Sequence, residues 1–327
     1  MTPKSRILLL ILTASMAVLL GTGRAGAATA GTTGAQVAEI MPDARAAAMG
    51  ETFCAVADDI NCIYYNPAGL GTIGWTEIPV SNNQLFGGVN CQFAGIAYSL
   101  RDVRAANIDD LGTLAVGFTE MQSGDIAARD TLGIMYGTFM TKDQMFAFAY
   151  GKALVDDEAM GRLMAGLSVK AITEEIAGQK SKNTAFDAGT LWRLPSSGLS
   201  LGLAIQNMGE KLSYQTSSFD QPTNVKAGVA YREDDLLVGF DVNNPAHADL
   251  YYSLGGEYRF ARALVFRAGY NARSAQRGFS AGFGVSLKQV DVLFMYVRDV
   301  EIDYAFVPMG ELGDTHRIAM IFKLGAD

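Results

Sequence analysis

Phe279-Ser280-Ala281-Gly282-Phe283-Gly284-Val285-Ser286-Leu287-Lys288 alternates, residue by residue, between an apolar side chain and a small or polar one. Successive side chains of a strand point to opposite faces, so this stretch builds one greasy face and one narrow hydrophilic face. The same two-residue period recurs from about residue 90 to the C-terminus. Many such segments in one exported chain predict an all-β fold: a transmembrane antiparallel β-barrel, with the greasy face in lipid and the other lining a lumen.

Strands are expected near 92–100, 111–120, 130–140, 143–151, 163–173, 184–194, 199–207, 223–231, 236–243, 250–260, 263–271, 278–287, 290–298 and 315–324. That is about fourteen, an even number as bacterial barrels require, with 76–84 as a further candidate. Charges provide a check, because a Lys or Arg facing lipid at midplane costs about 2–4 kcal/mol. Asp187 and Arg193 share a face with Gly189, and Lys226 lies with Gly228 and Ala230. Asp241 lies with Gly239, Glu257 and Arg259 with Ser253 and Gly255, and Arg267 with Gly269. All seven charges therefore fall on the lumen side. Tyr231, Tyr258, Phe260 and Tyr270 fall near strand ends, where aromatic girdles belong.

With 315–324 descending to the periplasm, the connections at 195–198, 232–235, 261–262 and 288–289 become short periplasmic turns. Those at 174–183, 208–222, 244–249, 272–277 and 299–314 become the outer loops. The pattern fits poorly before residue 162, where an expected outer loop at 141–142 is tight and an expected turn at 152–161 is long. A soluble sandwich or propeller would also alternate, but its outer face would carry more charge.

Ahead of the barrel stands an export signal, residues 1–30. Lys4 and Arg6 precede the apolar run Ile7 to Leu20, and Ala25-Gly26-Ala27 and Ala28-Thr29-Ala30 are cleavage candidates. The run is shorter than the ~20 residues of a spanning helix. The net charge of −8 includes the basic signal residues, so the mature chain is more acidic and no nucleic-acid partner is expected. With 36 glycines and only 8 prolines, the chain suits long ladders around a crowded interior. Cys54, Cys62 and Cys91 are either small buried hydrophobes or, for Cys54 and Cys62, a disulfide in an oxidising compartment.

Residues 31–75 lack sustained alternation and read as a plug or cap, leaving 76–327 to the barrel. Two motifs there carry alternative readings. Asp58 and Asp59 either bind a cation or polar ligand group, or cap a helix and bond to lumen arginines. Tyr64, followed by Asn66, Pro67 and Gly69, marks either a gating hinge or an ordinary turn. At the other end, Tyr304, Phe306, Val307, Pro308 and Met309 are read as an apolar outer loop that contacts a ligand or partner, or packs on the rim.

Several segments resemble the PorV/PorQ family of outer-membrane proteins, themselves similar to the FadL-type transporters of hydrophobic compounds. They are Asp43-Ala44-Arg45-Ala46-Ala47-Ala48-Met49-Gly50, running on through Phe53 and Val56-Ala57-Asp58-Asp59 to Tyr64-Tyr65-Asn66-Pro67-Ala68-Gly69-Leu70. Further along come Leu203-Ala204-Ile205-Gln206-Asn207-Met208-Gly209, Lys226-Ala227-Gly228-Val229-Ala230-Tyr231-Arg232, Asp303-Tyr304-Ala305-Phe306-Val307-Pro308, and Gly313-Asp314-Thr315-His316-Arg317. The resemblance implies a FadL-like barrel of fourteen strands with an N-terminal plug, in the outer membrane of a Gram-negative bacterium, without enzyme activity. It implies either an adaptor of type IX protein secretion, partnered by a secretion-system protein or exported cargo, or a passive conduit for a hydrophobic ligand. Cys54 and Cys62 depart from the family pattern.

The only histidines, His247 and His316, have no Ser or Cys nearby in a nucleophile motif. No phosphate loop or zinc signature occurs, and neither cofactor nor metal is expected.

Overall fold

The computed structural model describes residues 33–325, apart from 101–110, 215–216, 262, 274–277 and 293–294. The export signal lies outside the described residues. Fourteen antiparallel strands, counted over the described residues, close into a single barrel in which Thr76–Gln84 pairs with both Asn90–Ser99 and the final strand Asp314–Leu324. Between them the wall runs through Thr113–Gln122, Thr141–Asp157, Gly161–Ile176, Gln179–Arg193, Leu199–Gly209, Asn224–Glu233, Leu236–Pro245, Tyr251–Phe260, Leu264–Asn271, Gly278–Val292 and Met295–Pro308.

The expected total is right, but two memberships differ. Thr76–Gln84 is a wall strand, while 130–140 is not: Gln122 pairs directly with Lys142, which leaves 123–140 no room in the ladder. That stretch instead forms a small hairpin, Ile126–Arg129 against Met135–Phe139, beyond the wall. The exchange removes the misfit before residue 162. The outer connection becomes 123–140, and the strand expected at 143–151 extends to Asp157, leaving only 158–160 as a turn.

Three further expectations are corrected. The connection expected at 174–183 shrinks to Ala177-Gly178, because ladder pairing continues to Ile176↔Gln179. The turn expected at 288–289 lies in a ladder, with Lys288 opposite Asp299 and the pairing running on to Val292 opposite Met295. The loop expected at 299–314 is mostly wall: Tyr304, Phe306, Val307 and Pro308 belong to Met295–Pro308, and Met309 begins the short link to the last strand. Inward charges at Glu301 and Asp303 make this strand look like a loop in sequence.

The wall's outer face is apolar and exposed, with Phe146, Phe148, Leu167, Phe186, Leu254, Phe266 and Phe283 among its side chains. Burying such a surface in water would demand a second protein layer; hydrocarbon covers it without one. A closed barrel with an exposed apolar outer face is built to span a membrane. Tyr231, Tyr258 and Phe260 are exposed near strand ends, as a girdle requires.

Residues 33–75 lie within the barrel. Every residue from Met41 to Gly71 is buried except Glu51 and Asp58, which are partly exposed. Four short helical turns shape the segment, Gln36–Ala38 and three more that are each started by a side-chain cap. The Asp43 carboxylate accepts from the Arg45 and Ala46 amides ahead of Ala44–Ala48. Asp59 accepts from the Asn61 amide ahead of Ile60–Tyr64, and Asn66 from the Ala68 amide ahead of Pro67–Thr72. Wall glycines make room for this backbone. A methyl group at Gly166 would collide with Pro67, and one at Gly269 with Met49 and Gly50. Cys54, Cys62 and Cys91 are buried free thiols.

Candidate functional site

The luminal segment is bonded to wall strands all round the barrel. Gln206 donates to the Tyr64 and Tyr65 carbonyls, Arg317 to Met41, Asn271 to Gly50 and Asn83 to Pro42. Asp241 accepts from the Phe53 and Cys54 amides, both at 2.9 Å, and Glu174 from the Ala35 amide at 2.8 Å. The Tyr65 and Phe53 rings meet at a tilt of 53°, and the Lys226 ammonium lies 5.2 Å from the Tyr65 ring centre.

Arg45 is the hub. Its guanidinium reaches Asp58 at 2.6 Å, Asp59 at 2.8 Å and Glu257 at 2.9 Å. Glu257 in turn accepts from Arg267 at 2.7 Å, Arg267 pairs with Asp303 at 2.5 Å, and Arg232 pairs with Asp58 at 2.6 Å. Burial would raise the Asp58 carboxyl, but Arg45 and Arg232 outweigh it and hold Asp58 well below the usual carboxylate range. Burial dominates at Asp59, which is pushed up to about 6 against the pull of Arg45. Asp58 thus serves as an anchor for the arginines, and Asp59 divides itself between helix cap and ion pair. Asn66 donates to the Cys54 and Thr190 carbonyls, which pins the turn at Pro67 and Gly69 to the wall. Tyr64 shares a hydrogen bond with Thr119.

A second cluster is fully enclosed. Lys170 pairs with Asp187 at 2.6 Å and donates to Asn207 at 2.8 Å, while Asp187 accepts from the Asn207 amide at 2.7 Å. Asn207 adopts a left-handed conformation (φ 54°) beside a bulge between Phe186 and Ala188. Asn tolerates that conformation, and the bulge re-aims its side chain inward.

Near the rim that holds Thr76 and Leu324, a cavity of about 270 Å³ opens. Arg45, Arg193, Arg232, Arg259, Arg267 and Lys323 line it, together with Asp58, Glu257, Glu301 and Asp303. Another space, near Tyr251 and Arg273, measures only about 30 Å³. Asp187, Arg193, Lys226, Asp241, Glu257, Arg259 and Arg267 therefore all face the interior, and five of them are buried in the strict sense. Arg45, Lys170, Gln206, Asn207, Asp303 and Lys323 escaped the sequence reading as lumen contacts. Strand parity alone would find Lys170, which alternates with Val169 and Ala171; the others need the segment's position. Tyr304 and Phe306 point outward onto His316, with Tyr304 hydrogen-bonded to its Nδ1 at 2.8 Å, whereas Val307 packs inward on an alanine cluster. Among the described residues, no group of His, Cys, Asp and Glu is arranged to hold a metal ion.

No family model and no curated protein sequence matches this chain. Solved structures do. The Pseudomonas putida toluene transporter TodX is similar with a TM-score of 0.57 and 12% identity, over 86% of this chain and 96% of that one. The Ralstonia pickettii toluene transporter TbuX is similar with a TM-score of 0.54 and 12% identity, over the same shares of the two chains. A Pseudomonas aeruginosa FadL homologue reaches 0.49 at 12% identity, over 86% and 95%. The fold is thus one shared with the solved barrels of TodX and TbuX.

Proposed function

We propose that this protein is a non-enzymatic outer-membrane barrel that binds or passes hydrophobic small molecules without energy coupling. The observation that carries the reading is the likeness to two toluene transporters across 86% of the chain. We orient the barrel with Thr76 and Leu324 at the periplasm, which puts the long connections 123–140 and 210–223 outside. Residues 31–75 then act as a plug. With the plug seated, passage requires it to shift, and the shift must break the Arg45 pairs rather than flex the pinned turn at Asn66. Partners on this reading are outer-membrane lipid and a hydrophobic ligand.

Reconstitution in liposomes tests it. Toluene should equilibrate faster than across protein-free liposomes. Ala48 and Ala305 share a small packed cluster, so oxidising the double variant Ala48→Cys/Ala305→Cys should slow equilibration, and reductant should restore it. Equal rates with and without protein, in every redox state, would reject the conduit.

A second reading, the type IX secretion adaptor carried by the PorV/PorQ resemblance, is favoured by one observation. The hairpin beyond the wall exposes Leu132 at 81% and Tyr136 at 74%, beside Ile134 and Met135. This hairpin replaces the stretch 304–309 as the candidate contact for a secretion-system protein or exported cargo. A stoichiometric partner that co-purifies with the native protein, and is lost on Leu132→Ser/Tyr136→Ser, would support the adaptor. Toluene-binding protein isolated without a partner would sink it.

A further inference from the structure

The cavity near the terminal rim carries an imbalance that the fold itself does not resolve. Arg193, Arg232 and Arg259 end alternate wall strands, Gln179–Arg193, Asn224–Glu233 and Tyr251–Phe260. All three line the cavity. Around it the acids are already engaged: Glu257 and Asp303 by Arg45 and Arg267, and Glu301 by Lys323 at 2.8 Å. Asp58 is shared between Arg45 and Arg232. Among the described residues, Arg193 and Arg259 make no side-chain hydrogen bond and no ion pair within 4 Å. Three guanidinium groups line one cavity, and each presents a planar fork matched to an oxygen anion. The side chains of Trp75, Val265 and Val285 supply an apolar patch on the same cavity.

We propose that this cavity is a binding site for an oxyanion, a phosphate or carboxylate group, held by Arg193, Arg232 and Arg259 and entering at the rim that holds Thr76 and Leu324. The proposal is independent of what crosses the barrel. The ligand is either a free small anion or the headgroup of an anionic amphiphile whose chain lies toward Trp75.

The probe is Trp75 fluorescence in a Trp192→Phe background, on the mature protein in a non-ionic detergent at fixed ionic strength set by chloride. Inorganic phosphate and dodecyl phosphate are titrated separately. A saturable change with either supports the site. Saturation by phosphate alone assigns a free anion, and saturation only by dodecyl phosphate assigns a headgroup. Arg193→Gln/Arg259→Gln should raise the Kd at least about tenfold, a loss of roughly 1.4 kcal/mol. Without anion the same variant should melt no lower than the parent, which separates lost binding from lost folding. No saturable response beyond chloride for either probe, or an unchanged Kd in the variant, overturns the proposal.

Discussion

Lys170 and Arg193 stand on neighbouring wall strands and both face the lumen, yet their surroundings differ. Lys170 is fully buried, with Asp187 and Asn207 meeting its charge and its protons. Arg193 borders the cavity of about 270 Å³ and, among the described residues, has no hydrogen-bonded or ion-paired partner. A charge can be withdrawn into a low-dielectric interior only when its partners are withdrawn with it. Where the set of partners is complete, side chains seal the barrel; where it is incomplete, the barrel keeps a cavity. Arg45 lies between the extremes, since its three carboxylates bury it while Asp58 remains in touch with the cavity.

The comparison can be broken most severely at Arg45. Arg45→Ala strands Asp58, Asp59 and Glu257 without their shared cation, and we expect a loss toward the upper end of about 3–5 kcal/mol. Denaturant melts in detergent would show it, and planar-bilayer recordings should reveal conductance as the segment loosens; a variant with parental stability would remove Arg45 from its central place. Next, Lys170→Met should cost about 3 kcal/mol by orphaning Asp187, whereas Lys170→Met/Asp187→Leu should recover most of that loss. If single and double variants melt alike, the two residues are not coupled as the geometry requires.

A smaller effect tests the backbone approach. Gly269→Ala places a methyl group against Met49 and Gly50 and should cost about 1–3 kcal/mol by overpacking. Gly137→Ala, in the outer hairpin with nothing near its added methyl, should leave the melt unchanged. The smallest change is at the distal rim, where exposed Lys142 pairs with Glu120 at 2.9 Å. Lys142→Ala should shift stability by no more than about 1 kcal/mol, and less at high salt.

The two faces of the wall were legible in the chain because parity is local. Asp241 and Lys226 could be assigned to the lumen from their immediate neighbours. Strand membership was less so. Thr76–Gln84 is polar and contains Pro79, which lacks a ladder donor, so the local pattern made it only a further candidate; its pairing with Asp314–Leu324 exists only once the barrel closes. Conversely, 130–140 alternates well enough to pass as a strand, and only the pairing of Gln122 with Lys142 excludes it. The charged part of Met295–Pro308, from Asp299 on, looked like a loop because its acids find their partners on other strands, Asp303 with Arg267 and Glu301 with Lys323.

By itself the sequence determined a period of two, a greasy face with no second layer to cover it, and an N-terminal segment of different texture. Those are properties of neighbouring residues and survive in any register. The tertiary structure alone decided which ends meet, where residues 33–75 sit, and which cations find carboxylates, because ion pairs such as Arg45 with Glu257 join positions more than two hundred residues apart. No local pattern encodes such a distance; closure of the barrel does.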